Sequence, residues 1–482
     1  MIMSSLKNFK ARLNFVRNRV PSSGTIFNGM KSFDVFNLGN SFILYYILAF
    51  GFLPLLNFFF PYLKLFDSLA KSGLIAPSVY YYVFAALGLL SFALGFRYVR
   101  LEKITERLRR KWNYEWRHPR VILVFGIVFA AGLAVKAIRI FNGGFFYLDR
   151  NPVFTSHPLY SLIGLLDWAG TISLVIALVA YFLCFLKYRD ERFWAWRYIA
   201  WGTMAVEIFY GFFMGARGTV LVPLVAYIMV RYYVEKRSLR YVLVAFLIIF
   251  FILMPLLNIN RSPEVFFNAY HIVNKTEIAG KINAFKNRNF GNPASSVALP
   301  EAERVLSVGK YVFDSSIMRI DQSRILLAVF HNIYEFKPLD SVSKFFASLG
   351  PPRFLWKDKP IIQGDISALA QRSGILAPGD TTSVGATVVG DWYIGFGIWG
   401  VVFGMFLLGV LFRFLSGIFI NRENIYPTGL VFYAITWLHT IPGAIEGWQA
   451  PLWAGLVKLL AILILIHFFI SRGKKEKIIN GN

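Results

Sequence analysis

The chain has 482 residues, of which 56% are hydrophobic and only 16% charged, with a formal net charge of +25. A mean hydropathy of +0.54 excludes an ordinary water-soluble domain, which keeps about a quarter of its residues charged, and a disordered chain, which lacks apolar mass. The composition is that of a polytopic membrane protein.

Apolar runs of about 17 to 25 residues recur between short charged segments, the length an α-helix needs to cross roughly 30 Å of hydrocarbon. They do not alternate as barrel strands would. The expected fold class is therefore an all-α polytopic integral membrane protein of about ten transmembrane helices. In chain order the spans are expected near 41–59, 78–96, 121–141, 159–186, 198–214, 219–233, 241–257, 389–414, 430–440 with an extension, and 452–470. The ninth is interrupted by His439, Pro442 and Glu446.

The basic residues are not spread evenly. The N-terminal arm holds Lys7, Lys10, Arg12, Arg17, Arg19 and Lys31, and the junction after the second span holds Arg97, Arg100, Lys103, Arg107, Arg109, Arg110, Lys111, Arg117 and Arg120. Every second junction is basic again, through Lys187 to Arg197, Arg231 to Arg240, Arg413 to Arg422 and the tail from Arg472. By the positive-inside rule both termini are cytoplasmic. An anionic leaflet accounts for this charge, and no nucleic-acid partner is expected. The expected organisation is a basic cytoplasmic arm (1–40), seven helices (41–257), a large external loop (258–388), three helices (389–470) and a basic cytoplasmic tail (471–482).

The external loop carries fifteen Lys plus Arg against eleven Asp plus Glu. Ile317, Ile320, Ile325, Leu327, Val329 and Ile333 recur at helical spacing, so 313–336 is expected to form an amphipathic helix at the outer membrane surface. No cleavable signal peptide is visible at the start, and the single Cys184 allows no intrachain disulfide. "GFGIWG", 395–400, matches a dinucleotide pattern but follows no strand, so it is read as helix packing through small residues. The six histidines are scattered, the loop has no Asp-x-Asp, and neither a metal nor any other cofactor is expected.

Ionisable residues at the outer membrane face remain as site candidates, because charge there is costly. Arg217 stands in "MGARGTV" between the fifth and sixth spans. Arg319, Arg324, Arg353, Lys359 and Arg372 lie in the external loop, Arg353 and Lys359 within the proline-bracketed "GPPRFLWKDKP". Convergent guanidiniums suit a pyrophosphate, whose oxygens they fork onto. Asp391, Glu446, Glu207 and Asp167 are the acidic candidates, each able to act as a base or to pair with a cation. Trp356, Tyr393, Tyr334 and Trp392 could stack on sugar faces or anchor at the interface.

"GARG" between two spans, a large external loop, "PPRFLWKDKP", then "GDWYIGFGIWGVVFGMFLLG" entering the next span resemble the bacterial O-antigen and oligosaccharide repeat-unit polymerases of the Wzy type, over roughly 200–410. Lys357 and Asp391 stand where that family often has proline and glutamate. The resemblance implies a multi-pass protein of the bacterial inner membrane. It implies a metal-independent glycosyltransferase that joins polyprenyl-pyrophosphate-linked oligosaccharides, with polyprenyl pyrophosphate as leaving group. It implies pyrophosphate or substrate contacts from Arg217, Arg319, Arg324, Arg353, Lys359, Arg372, Trp356 and Tyr393. A proton acceptor would come from Asp391, Glu446 or His439, and a chain-length regulator and a flippase would be partners. An O-antigen ligase using the same donor, and a lipid-linked oligosaccharide flippase, are the alternatives.

Overall fold

A computed structural model describes residues 34–55, 79–112, 116–141, 166–213, 217–236, 238–249, 253, 322–332, 340–351, 355–356, 385–420, 425–447 and 449–471. The chain divides into two units, Met1–Val35 and Phe36–Asn482, and the following concerns the second. Its described residues are helical with no strand among them, as an apolar solvent demands of a backbone that must satisfy its own hydrogen bonds.

In chain order the helices are α1 (Leu38–Leu55, with a π turn at Leu48–Phe52), α2 (Val79–Tyr98), α3 (Glu102–Trp112) and α4 (His118–Phe141). Next come α5 (Trp168–Lys187), α6 (Trp196–Phe213), α7 (Arg217–Glu235) and α8 (Leu239–Ile248). The short α9 (Ser323–Asn332) and α10 (Asp340–Leu349) precede α11 (Val388–Phe419), α12 (Pro427–Glu446) and α13 (Gln449–Ser471). Eight of them, α1, α2, α4, α5, α7, α11, α12 and α13, are long and apolar enough to cross a membrane. The protein is an all-α polytopic membrane protein.

These eight coincide with eight of the ten expected spans. At the expected fifth span α6 is a helix of 18 residues, but it is not among the eight that are long and apolar enough to cross. The expected seventh span is described as the ten-residue α8, and residues 250–252 and 254–257 of it lie outside the described residues. The ninth is not interrupted: α12 runs unbroken through His439 and Pro442 to Glu446.

The basic junctions gather at one end of the bundle. There the amphipathic α3 packs on the last turns of α11, with Arg413 Nη2 2.6 Å from Glu102 Oε1. Trp116 donates to Thr428 at 3.0 Å, and the Tyr188 hydroxyl donates to the Ile425 carbonyl at 2.5 Å, tying α4 and α5 to the start of α12. Just inside this end, Phe42 stacks on Phe92 at 4.3 Å while Phe412 meets both edge-on at 5.5 and 5.7 Å. Such pairs add about 0.5–1.5 kcal/mol each beyond burial and lock α1, α2 and α11 in register.

The expected eighth span is present but broken. Gly397 has φ 63° and ψ −147°, a conformation that only glycine adopts without strain. In an unbroken helix residues eight and twelve apart lie about 12 and 18 Å apart. Here a Cβ on Gly400 would collide with the Trp392 carbonyl oxygen, and one on Gly404 with the Trp392 indole. The first nine residues of α11 therefore fold back beside the rest. From Ile398 to Phe419 about 33 Å of helix remains, enough to span alone. "GFGIWG" thus makes a chain reversal, with one glycine supplying the dihedrals and the next two positions of close approach the room.

Candidate functional site at the far end of the bundle

Opposite the basic end, the end of α1, the start of α2, the reversed segment of α11, the α12–α13 turn and the start of α9 converge. Thr387, at φ 66°, caps the reversed segment by accepting from Gly390 N at 3.2 Å. Val329 and Ala386 form a small buried cluster with Phe330, Tyr393 and Ile394, and Phe84, Phe330 and Tyr393 meet with ring centroids 4.8 to 5.3 Å apart. Of the helix expected over 313–336, α9 covers 323–332 and its buried Leu326, Leu327 and Val329 face the bundle, while 313–321 and 333–336 lie outside the described residues. Tyr393, expected as a sugar contact, is half-buried in this aromatic knot.

Asp391 is 3% exposed in the first turn of α11, and its Oδ2 accepts the backbone N–H of Gln449 at 3.0 Å. Gln449 opens α13, so the carboxylate sits on a helix N-terminus, where orphan N–H groups and the positive end of the dipole favour an anion. Gln449 is held in turn by Nε2 donating to the Ala444 carbonyl at 2.9 Å and by Trp453 Nε1 at 3.1 Å.

Glu446 is the last residue of α12 and accepts a hydrogen bond from the Tyr45 hydroxyl of α1. A Cβ on Gly385 would collide with its backbone carbonyl, so the strand of chain leading into α11 lies directly against it. Asp391 and Glu446 thus stand on either side of the connection from α12 to α13. His439 lies seven residues below Glu446, about 10 Å along the helix. Its Nε2 is 3.0 Å from the Leu452 carbonyl, to which it donates, and its ring meets Trp168 edge-on at 5.1 Å.

Arg217 is the first residue of α7 and Arg324 the second of α9, both described by backbone only. Arg319, Arg353, Lys359 and Arg372 lie outside the described residues. Trp356 is 37% exposed and lies 3.0 Å from where a Cβ on Gly350 would stand.

Two ion pairs complete the acidic candidates. Lys136 Nζ lies 2.7 Å from Glu207 Oε1, with side chains 8% and 5% exposed, and Arg139 Nη2 lies 2.7 Å from Asp167 Oδ2. Gly170 makes the first possible, since a Cβ there would collide with both charged groups. The ammonium also stands 5.1 Å from the centroid of the Tyr210 ring. Sequence reasoning named both carboxylates without their partners. The signal was available: Lys136 and Arg139 are three residues apart inside an apolar helix, on one face of α4. Tyr45, an ordinary tyrosine within an apolar span, gave none.

Residues 374–447 match the family model described as "Putative O-antigen polymerase". The O-antigen polymerase match takes in the reversed segment, the whole of α11 and α12, and with them Asp391, His439 and Glu446. It also takes in "GDWYIGFGIWG", one of the motifs that carried the resemblance, whereas "GARG" and "PPRFLWKDKP" precede it. No curated protein and no solved structure matches this chain.

Proposed function

We propose that this protein is a repeat-unit polymerase of the bacterial inner membrane, with both termini cytoplasmic and the far end of the bundle facing outward. The observation that carries this is the coincidence of the O-antigen polymerase match with the far-end constellation of reversed helix, α12 end and Glu446. Its substrates are polyprenyl-pyrophosphate-linked oligosaccharides, and a flippase and a chain-length regulator act with it.

In the reaction the terminal hydroxyl of one lipid-linked repeat attacks the anomeric carbon of another. The bond from that carbon to the phosphate oxygen breaks, polyprenyl pyrophosphate departs with the electron pair, and the hydroxyl proton passes to a base. Of the three candidate bases, Asp391 is engaged at the start of α13 and His439 is packed between Trp168 and the Leu452 carbonyl. Glu446, at a helix end and held by one hydroxyl, suits proton transfer best, a role worth about 10² to 10⁴ in rate. Arg217, Arg319, Arg324, Arg353, Lys359 and Arg372 supply cations for the departing pyrophosphate, which preorganised guanidiniums stabilise without a metal.

Gel analysis of surface polysaccharide from a deletion strain tests this directly. Caps of a single repeat, restored to long chains by the wild-type gene, are the expected result. Complete loss of capping would point instead to a ligase or a flippase. With purified protein and lipid-linked repeats, polymerisation should persist in excess chelator and fall on the order of a hundredfold or more in Glu446→Gln.

A further inference from the structure

We propose that α10, with Gly350, Pro351, Leu355 and Trp356 after it, is a re-entrant element seated among lipid acyl chains beside α13, not part of a water-exposed loop. Lys458 of α13 donates from Nζ to the carbonyl of Ser348 at 2.6 Å. Lys458 is the tenth residue of a helix that starts at Gln449, so its Cα lies about 13 Å along a membrane-spanning element. About five bonds of roughly 1.5 Å each cannot return the ammonium to the helix start, even leaning that way. The C-terminal end of α10 is therefore held below the far end of α13. An ammonium inside a span needs a partner, and one of the last, unpaired carbonyls of a helix, at the negative end of its dipole, is a suitable one. Gly350 N closes the same helix end on the Phe346 carbonyl at 2.9 Å, so protein groups answer the Phe346 and Ser348 carbonyls, as a lipid setting favours.

The sequence of α10 changes character along its axis instead of around it. Asp340, Ser341, Ser343 and Lys344 fill its first half; Phe345, Phe346, Ala347 and Leu349 its second. Ala347 and Ser348 are buried against the bundle. On the outer side Val342 is 41% exposed, Phe346 64%, Leu355 69% and Trp356 37%. Next to Lys458, Val457 of α13 is 47% exposed, so the surface of α13 flanking α10 is open and apolar. A second point of the chain between α8 and α11 also descends into the bundle. Gln322 N donates to the carbonyl of Ala49 at 3.3 Å, six residues inside the end of α1.

The test is the depth of single spin labels in proteoliposomes, with Cys184 replaced by serine because it is the one cysteine. Labels at Val342→Cys, Phe346→Cys and Leu355→Cys are compared with Leu465→Cys, on an exposed turn of α13, and Lys103→Cys, on the exposed face of α3. The expected ratio of oxygen to nickel-chelate collision at 346 and 355 follows that at 465 and exceeds that at 103 on the order of tenfold, with 342 between, since hydrocarbon holds oxygen and excludes the chelate. Ratios like that at 103 would overturn the proposal by placing the element in water. Low collision with both agents would overturn it by showing that protein covers this face. If Phe346→Cys fails to fold, Leu355→Cys alone decides. No activity is read, so the outcome is independent of the polymerase proposal.

Discussion

The two ends of the bundle solve the problem of charge in opposite ways. At the basic end charges remain in reach of water: Arg110 pairs with Glu106 at 2.6 Å and Arg413 with Glu102 at 2.6 Å, on largely exposed side chains. Toward the far end polar groups are enclosed and answered by protein, as in Lys136–Glu207, Asp391 with the start of α13, and Lys458 with Ser348. An exposed pair contributes about 0–1 kcal/mol, whereas breaking an enclosed pair leaves a stranded charge that costs about 3–5 kcal/mol. Stability should therefore be insensitive to charge changes at one end and acutely sensitive at the other.

The largest effect is expected from Lys136→Met, which strands Glu207. Thermal unfolding in detergent should show a loss of about 3–5 kcal/mol, and the double variant Lys136→Met/Glu207→Met should recover most of it. Equal destabilisation in the double variant would break the comparison, since the single loss would then be one of packing. Gly397→Ala tests the reversal of α11. A side chain at φ 63°, ψ −147° should cost about 1–3 kcal/mol, seen as a lower melting temperature by size-exclusion fluorescence. Gly126→Ala, where a Cβ would meet nothing within 4 Å, should leave it unchanged.

Asp391→Ala should cost a comparable amount, losing about 1.5–3 kcal/mol with the charged hydrogen bond to Gln449 N. Proteolysis near the α12–α13 turn should increase with it. The smallest effect belongs to the basic end. Arg413, through its hydrogen bond first and its charge after, holds the exposed Glu102 carboxyl below the ordinary glutamate value. The stabilisation from a depressed carboxylate is present above that ordinary value and fades as pH falls through the depressed one. Glu102→Gln should therefore lower the melting point barely at neutral pH and not at all in acid. A large loss at neutral pH would show that the basic end, too, depends on its pairs.

The basic end was largely legible in advance because its signals are local. Arg97 to Arg120, Lys187 to Arg197 and Arg231 to Arg240 stand together in the chain, and the described ones gather at one end of the bundle. Much of the far end was not legible, because its contacts join residues hundreds apart. Nothing near Tyr45 announces Glu446, nothing near Asp391 announces Gln449, and Lys458 reads only as a cost until Ser348 answers it. "GFGIWG" reads in the sequence as helix packing through small residues, but its reversal depends on one φ at Gly397 and on the room left by two glycines for Trp392.

What the sequence determined by itself is what length and polarity dictate. Runs of about 20 apolar residues must be helices in a bilayer, because no water is there to satisfy an open backbone, and clustered lysines and arginines mark the connections. Only the tertiary structure decided which buried charges are neutralised, which span is broken, and which candidate acid is an anchor and which is held by a single hydroxyl. These depend on distances of about 3 Å between helices remote in the chain, where a polar group in a medium of low dielectric is either paired or costly. Local sequence fixes the need for a partner, and packing alone chooses it.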